Sequence, residues 1–229
     1  MAKSNNKQTS FIKAKVSLLV LFIIGVCSNV QSQDTMFIDQ IEGRTITREN
    51  FNEKGDLLNK QIFEAGKIIN KNGNYEIKVT TELFDKNKIA TDKYETSYKC
   101  KPDKFSVVVF VFPFANPKSK DTEISSKSVN FKDLYNLKKL NNVEIDLSFD
   151  SGLMNFFGSK STIKIYDRKK EVNGNNLSIK SKINIKAYTL GIRVKQLNYT
   201  LTEKLNSDGL LSYQKFVEKD GSYFTMDYK

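Results

Sequence analysis

Asn176-Leu177-Ser178-Ile179-Lys180-Ser181-Lys182-Ile183-Asn184-Ile185-Lys186-Ala187 is the stretch that decides the fold. Leu177, Ile179, Ile183, Ile185 and Ala187 alternate with polar neighbours, and only Ser181 interrupts the apolar phase. A period of two puts one face on a core and the other in water, which is the signature of a half-buried strand. Upstream, Tyr75, Ile77, Val79, Thr81 and Leu83 alternate in the same way with Glu76, Lys78, Thr80 and Glu82. Downstream, Ile192 and Val194 lie in even phase, whereas Leu197, Tyr199 and Leu201 lie in odd phase. That slip of one predicts a bulge near Lys195-Gln196.

Turn signals separate the runs. Phe51-Asn52-Glu53-Lys54-Gly55, Asn70-Lys71-Asn72-Gly73, Asn173-Gly174 and Asp220-Gly221 supply residues that tolerate positive φ. FNEKGDL at 51–57, LFDKNKI at 83–89 and FVEKDGSYF at 216–224 repeat one hairpin design. Strands are expected at about 36–42, 45–51, 57–69, 74–84, 88–99, 104–112, 122–128, 143–149, 161–172, 176–188, 192–205, 209–217 and 222–228, the weaker of them doubtful. The expected fold is therefore all-β: a single-domain antiparallel half-barrel or β-sandwich of roughly 11–12 strands. The one helical pattern is short, Phe131 to Leu140. Phe105-Ser106-Val107-Val108-Val109-Phe110-Val111-Phe112 does not alternate, so both of its faces must be covered. It reads either as a central core strand or as the wall of an apolar ligand pocket, with Val107, Val109 and Val111 as the ligand-facing candidates.

The first 32 residues read as an address. Lys3, Lys7, Lys13 and Lys15 precede the apolar run Val16–Val26, and a short polar stretch follows. This is the order of a secretory signal peptide, and the run is too short to span a bilayer comfortably. Val30 and Ser32 occupy the −3 and −1 positions of a cut before Gln33. Ile24-Gly25-Val26-Cys27 offers a lipobox-like alternative in which Cys27 would be lipidated, but Val26 fits that motif poorly. The expected product is one β-rich domain, 33–229, in the periplasm or outside the cell of a bacterium, with an outer-membrane lipoprotein as the lesser reading. It retains one cysteine, Cys100, so its core must stabilise it without an internal disulfide.

Composition excludes much chemistry. The 229 residues include no His and no Trp. Without imidazole there is no Ser-His-Asp triad, no Cys-His dyad and no His metal ligand. The 37 basic residues against 26 acidic ones include only four Arg: Arg44, Arg48, Arg168 and Arg193. A Lys-rich, exported chain is a poor nucleic-acid binder, though an anionic envelope surface remains a fitting partner. A two-carboxylate glycosidase needs no His. Its candidate acids, Asp146 and Asp150, or Glu42 and Glu49, sit in surface patterns and turns. No phosphate-binding glycine loop, calcium loop or zinc cluster is present in the sequence, so no cofactor is expected.

The stretch Glu82 to Lys101, a hairpin followed by a strand reaching Cys100, resembles the TapB-like family of exported bacterial proteins. Ser207-Asp208-Gly209-Leu210-Leu211, followed by Phe216 to Tyr223, is similar to that family's closing hairpin. The resemblance implies a β-rich envelope protein of unknown function, akin to half-barrels that shelter lipid acyl chains. It carries over no functional residue. The region 113–160 and the absence of a second Cys near 180–190 depart from the pattern. Two functions are thus in view. One is a binding module for a lipid-like or other hydrophobic ligand. The other is a structural or protein-interaction component of the envelope with a filled core. Neither is an enzyme.

Overall fold

A computed structural model describes residues 41–100, 121–126, 137–149, 160–173 and 176–229. These belong to one compact unit, Met36–Lys229. Its strands are β1 (Thr45–Phe51), β2 (Leu57–Ala65), β3 (Ile69–Lys71), β4 (Asn74–Asp85), β5 (Ala90–Cys100), β6 (Asp121–Ser126), β7 (Val143–Phe149), β8 (Lys160–Asn173), β9 (Asn176–Thr189), β10 (Ile192–Leu205), β11 (Leu211–Val217) and β12 (Tyr223–Tyr228). The all-β, antiparallel reading therefore holds. Among the described residues there is no helix, and Leu137–Leu140, the tail of the expected helical segment, is turn and coil. The rest of that segment lies outside the described residues.

All twelve strands form one sheet, in the order β2-β1-β12-β11-β10-β9-β8-β7-β6-β5-β4-β3. Every pairing is antiparallel except β5 with β6, where Ser97–Lys99 runs parallel to Asp121–Glu123. The curl continues past a half-barrel, because β2 also pairs with β4, from Asn59↔Asp85 to Ala65↔Val79. The pairings thus close on themselves and leave no open edge at that seam. β3 continues β2 along the same edge of β4, pairing Ile69↔Glu76 to Lys71↔Asn74, so the ring has eleven places. The expected strand 57–69 is broken between these two pieces at Gly66-Lys67-Ile68. The Gly66 N–H donates to the Lys78 carbonyl at 2.8 Å. A Cβ on Gly66 would stand 3.2 Å from that same carbonyl oxygen, a tight contact that favours glycine.

Four hairpins share one loop. In 52–56, 85–89, 206–210 and 218–222, the fourth residue's N–H donates to the first residue's carbonyl, and the first N–H donates to the fifth carbonyl. In three of them the first residue is Asn52, Asp85 or Asn206, and its Oδ1 accepts the N–H groups of the third and fifth residues. The fourth residue carries positive φ: Gly55, Lys88, Gly209 and Gly221. The repeated sequence design is therefore a repeated bulged turn, with the short polar side chain standing in for a backbone acceptor.

One core runs through the ring. Ile46, Ile77, Ile145, Ile179, Leu201 and Met226 are completely buried in it. Eight strands make a ring that strand side chains alone can fill, and eleven enclose more. Ile41, Leu137 and Leu140, from connecting segments, contribute to the same cluster. The expected slip in β10 is a register shift between Arg193 and Lys195, about one residue earlier than the phase change predicts.

Candidate functional site

One row of the inward face is rich in polar groups. Register aligns Gln61↔Arg48, Arg48↔Met226, Met226↔Gln214 and Gln214↔Glu203, a row crossing β2, β1, β12, β11 and β10. Glu203 is 1% exposed. The Gln214 Nε2 donates to Glu203 Oε1 at 2.8 Å, and the Tyr228 hydroxyl donates to Gln214 Oε1 at 2.6 Å. The amide can sit only one way round, since the phenol donates to its oxygen and the carboxyl oxygen accepts from its nitrogen. Burial, and then the nearby Glu203, push the Tyr228 hydroxyl well above its ordinary pKa.

The next row is aromatic. Phe216 and Phe224 stack at 4.4 Å between centroids, and the Tyr199 ring meets both edge-on at 5.9 and 5.7 Å. The Arg48 guanidinium lies 4.0 Å from the Phe224 centroid, and its Nε donates to Asn50 Oδ1 at 2.9 Å. Burial pulls Arg48 down to about 10, with Tyr199 and Glu218 opposing, so it remains a cation at neutral pH. Cation–ring contacts of this kind contribute about 0.5–2 kcal/mol, more when desolvated. Burial, with the Glu218 carboxylate beside it, raises Tyr199.

Chemically, the guanidinium, carboxyl, amide and phenol are partnered to one another or to rings inside a packed interior. Such networks select one register among many, because any slip strands a buried polar group. The glycosidase candidates are not gathered here. Asp146 is on the outer face of β7 and accepts from Thr162 Oγ1 at 2.8 Å, whereas Glu42 Oε1 accepts the Ile68 N–H at 2.9 Å. Glu49 is half-buried on β1, and Asp150 lies outside the described residues. Among the described residues, no three His, Cys, Asp or Glu side chains form a metal-sized group. Cys100 ends β5, opposite Tyr75. The candidates Val107, Val109 and Val111, the cleavage residues Ser32 and Gln33, and Cys27 all lie outside the described residues.

Glu203 is legible in the sequence as an inward residue. The odd phase that runs through Leu197, Tyr199, Leu201 and Leu205 places it inward, and an acid on an apolar phase is the signal.

No protein-family model matches the chain, and no curated protein matches it, so the TapB-like likeness stands on its hairpin patterns alone. Two solved structures are similar. One is from Bacteroides fragilis and is described as exported with a YmcC-like fold; it is 13% identical, at a TM-score of 0.39 over 82% of this chain and 94% of that one. The other, from Parabacteroides distasonis, is described as a lipoprotein; it is 12% identical, at a TM-score of 0.41 over the same shares. At those scores the likeness carries no argument.

Proposed function

We propose that this chain is an exported, non-catalytic module of the bacterial envelope, working through its surface as a structural or protein-interaction component. The observation that carries this reading is the packed inward face of the described strands. Ile46, Ile77, Ile145, Ile179, Leu201 and Met226, inward on β1, β4, β7, β9, β10 and β12, are buried in one cluster, and Glu203, Gln214 and Tyr228 are joined by hydrogen bonds beside it. Native mass spectrometry of the protein purified from its own envelope tests it. The expected result is the mass of the polypeptide alone. A stoichiometric hydrophobic adduct would overturn it.

The second reading, a binder of a lipid-like ligand, is supported by the unbroken apolar run Phe105–Phe112. It expects such an adduct, and expects Val109→Asp to abolish it in protein that still folds.

A further inference from the structure

The β9–β10 hairpin is unlike the rest of the ring. β11 pairs with β10 only from Thr200 onward, so among the described residues Ile192–Tyr199 is paired on the β9 side alone. Ile192 to Gln196 are exposed on both faces. At the tip Leu190 is 92% exposed, Ile192 70% and Val194 58%. The hairpin is also one-signed: no Asp or Glu occurs between Leu177 and Thr202, whereas Lys180, Lys182, Lys186, Arg193 and Lys195 do. Acids from β8 meet the lower cations, Glu171 with Lys180 and Asp167 with Lys182. Lys186, Arg193 and Lys195 are nearer the tip, and Lys160 is opposite Tyr188.

The turn supplies an independent observation. Leu190 and Gly191 have φ of 51° and 79° between the paired residues Thr189 and Ile192. The β3–β4 hairpin has the same two-residue geometry, φ 53° and 75°, filled by Asn72-Gly73. Asn-Gly is what this backbone favours, since Asn tolerates the left-handed region and leucine does not. The β9–β10 turn therefore carries a residue that is locally strained and exposed to water, with no gain to the fold. Backbone strain of that kind clusters at functional surfaces.

We propose that this tip is a membrane-docking element, setting Leu190, Ile192 and Val194 at the headgroup–acyl boundary of an anionic bilayer while Lys186, Arg193 and Lys195 meet the lipid phosphates. Small apolar anchors ringed by cations are the chemistry of interfacial binding. A second copy is the poorer occupant. Antiparallel pairing of two Ile192–Gln196 edges would set Arg193 and Lys195 of one against those of the other, and like charges across a pair destabilise it. The proposal deepens the surface-acting reading by naming one partner, and its test does not depend on whether the interior holds an adduct.

The test is flotation of the exported protein with phosphatidylglycerol–phosphatidylcholine vesicles and with phosphatidylcholine alone. The wild type should float with the anionic vesicles and release as salt rises. Arg193→Gln with Lys195→Gln should weaken that binding roughly thirtyfold, at about one kcal/mol per cation, and leave the zwitterionic control unchanged. Leu190→Asn should raise Tm by about 1–3 °C by relieving the turn, yet weaken flotation roughly fivefold or more. Equal flotation with both vesicle types, or a Leu190→Asn protein that floats as the wild type does, would overturn the proposal. So would a concentration-dependent dimer, seen by sedimentation, that Leu190→Asn dissolves.

Discussion

Gln214→Glu changes one atom type inside the core and almost no volume. It turns the Nε2 that donates to Glu203 at 2.8 Å into a second acceptor. Two ionised carboxyls at that separation would repel by about 6 kcal/mol at an effective dielectric of about 20. The protein has a cheaper escape, because one carboxyl takes up a proton and its O–H restores the hydrogen bond. Holding a glutamate protonated at pH 7, about 2.7 units above its ordinary pKa, costs about 3.7 kcal/mol, and this smaller figure sets the loss. The folded variant then binds one proton more than its unfolded chain. A folded-state pKa that is raised gives stability at low pH that is lost as pH rises, here at about 1.4 kcal/mol per unit above pH 4.3. Urea melts at several pH values measure this directly. The gap from wild type should be near zero at about pH 4 and should widen steadily toward pH 7. Gln214→Met, which loses both hydrogen bonds, should cost about 2–4 kcal/mol at neutral pH. A gap for Gln214→Glu that is flat between pH 4.5 and 7 would refute the buried carboxyl–amide–phenol network.

Lys88 is the one non-glycine at the fourth position of the four bulged turns, at φ 65°; Lys88→Gly should stabilise by about 0.5–1 kcal/mol, read as a rise in Tm. Gly66→Ala should cost about 1–3 kcal/mol in denaturant melts, because its Cβ meets the Lys78 carbonyl at the seam where β2 gives way to β3. Phe216→Ala should cost about 3–5 kcal/mol, since it removes the ring stacked on Phe224 and met edge-on by Tyr199. N-terminal sequencing of the exported protein should begin at Gln33; a lipidated Cys27 or a retained Met1 would overturn the signal-peptide reading.

The parts of the fold legible in the sequence are those that local physics decides. Alternation in 176–187 located β9 and its inward face, and a phase slip located the β10 bulge to within about one residue. The repeat FNEKGDL, LFDKNKI and FVEKDGSYF marked three of the four hairpins that share a loop, because a short polar side chain and a positive-φ position are both written locally. Ring closure was not legible. It depends on β2 and β3 sharing one edge of β4, and neither alternation nor turn chemistry encodes which distant strand comes to lie beside which. The parallel β5–β6 pair escaped for the same reason.

The polar row and the hairpin tip show what a one-letter reading leaves out. Glu203 belongs to the inward phase of β10, yet an acid between Thr202 and Lys204 looks like surface until Gln214 and Tyr228 are brought alongside it by two further strands. Leu190, by contrast, falls between the expected strands 176–188 and 192–205, so the sequence already places it in a connection. What the backbone adds is its left-handed conformation, which Asn72 occupies without strain in the same molecule. Burying an acid and exposing a leucine both run against transfer free energy. The first is offset within the fold by its hydrogen bonds. The second has no such compensation inside the described residues, and that asymmetry favours function at the tip of β9–β10 over the interior of the ring.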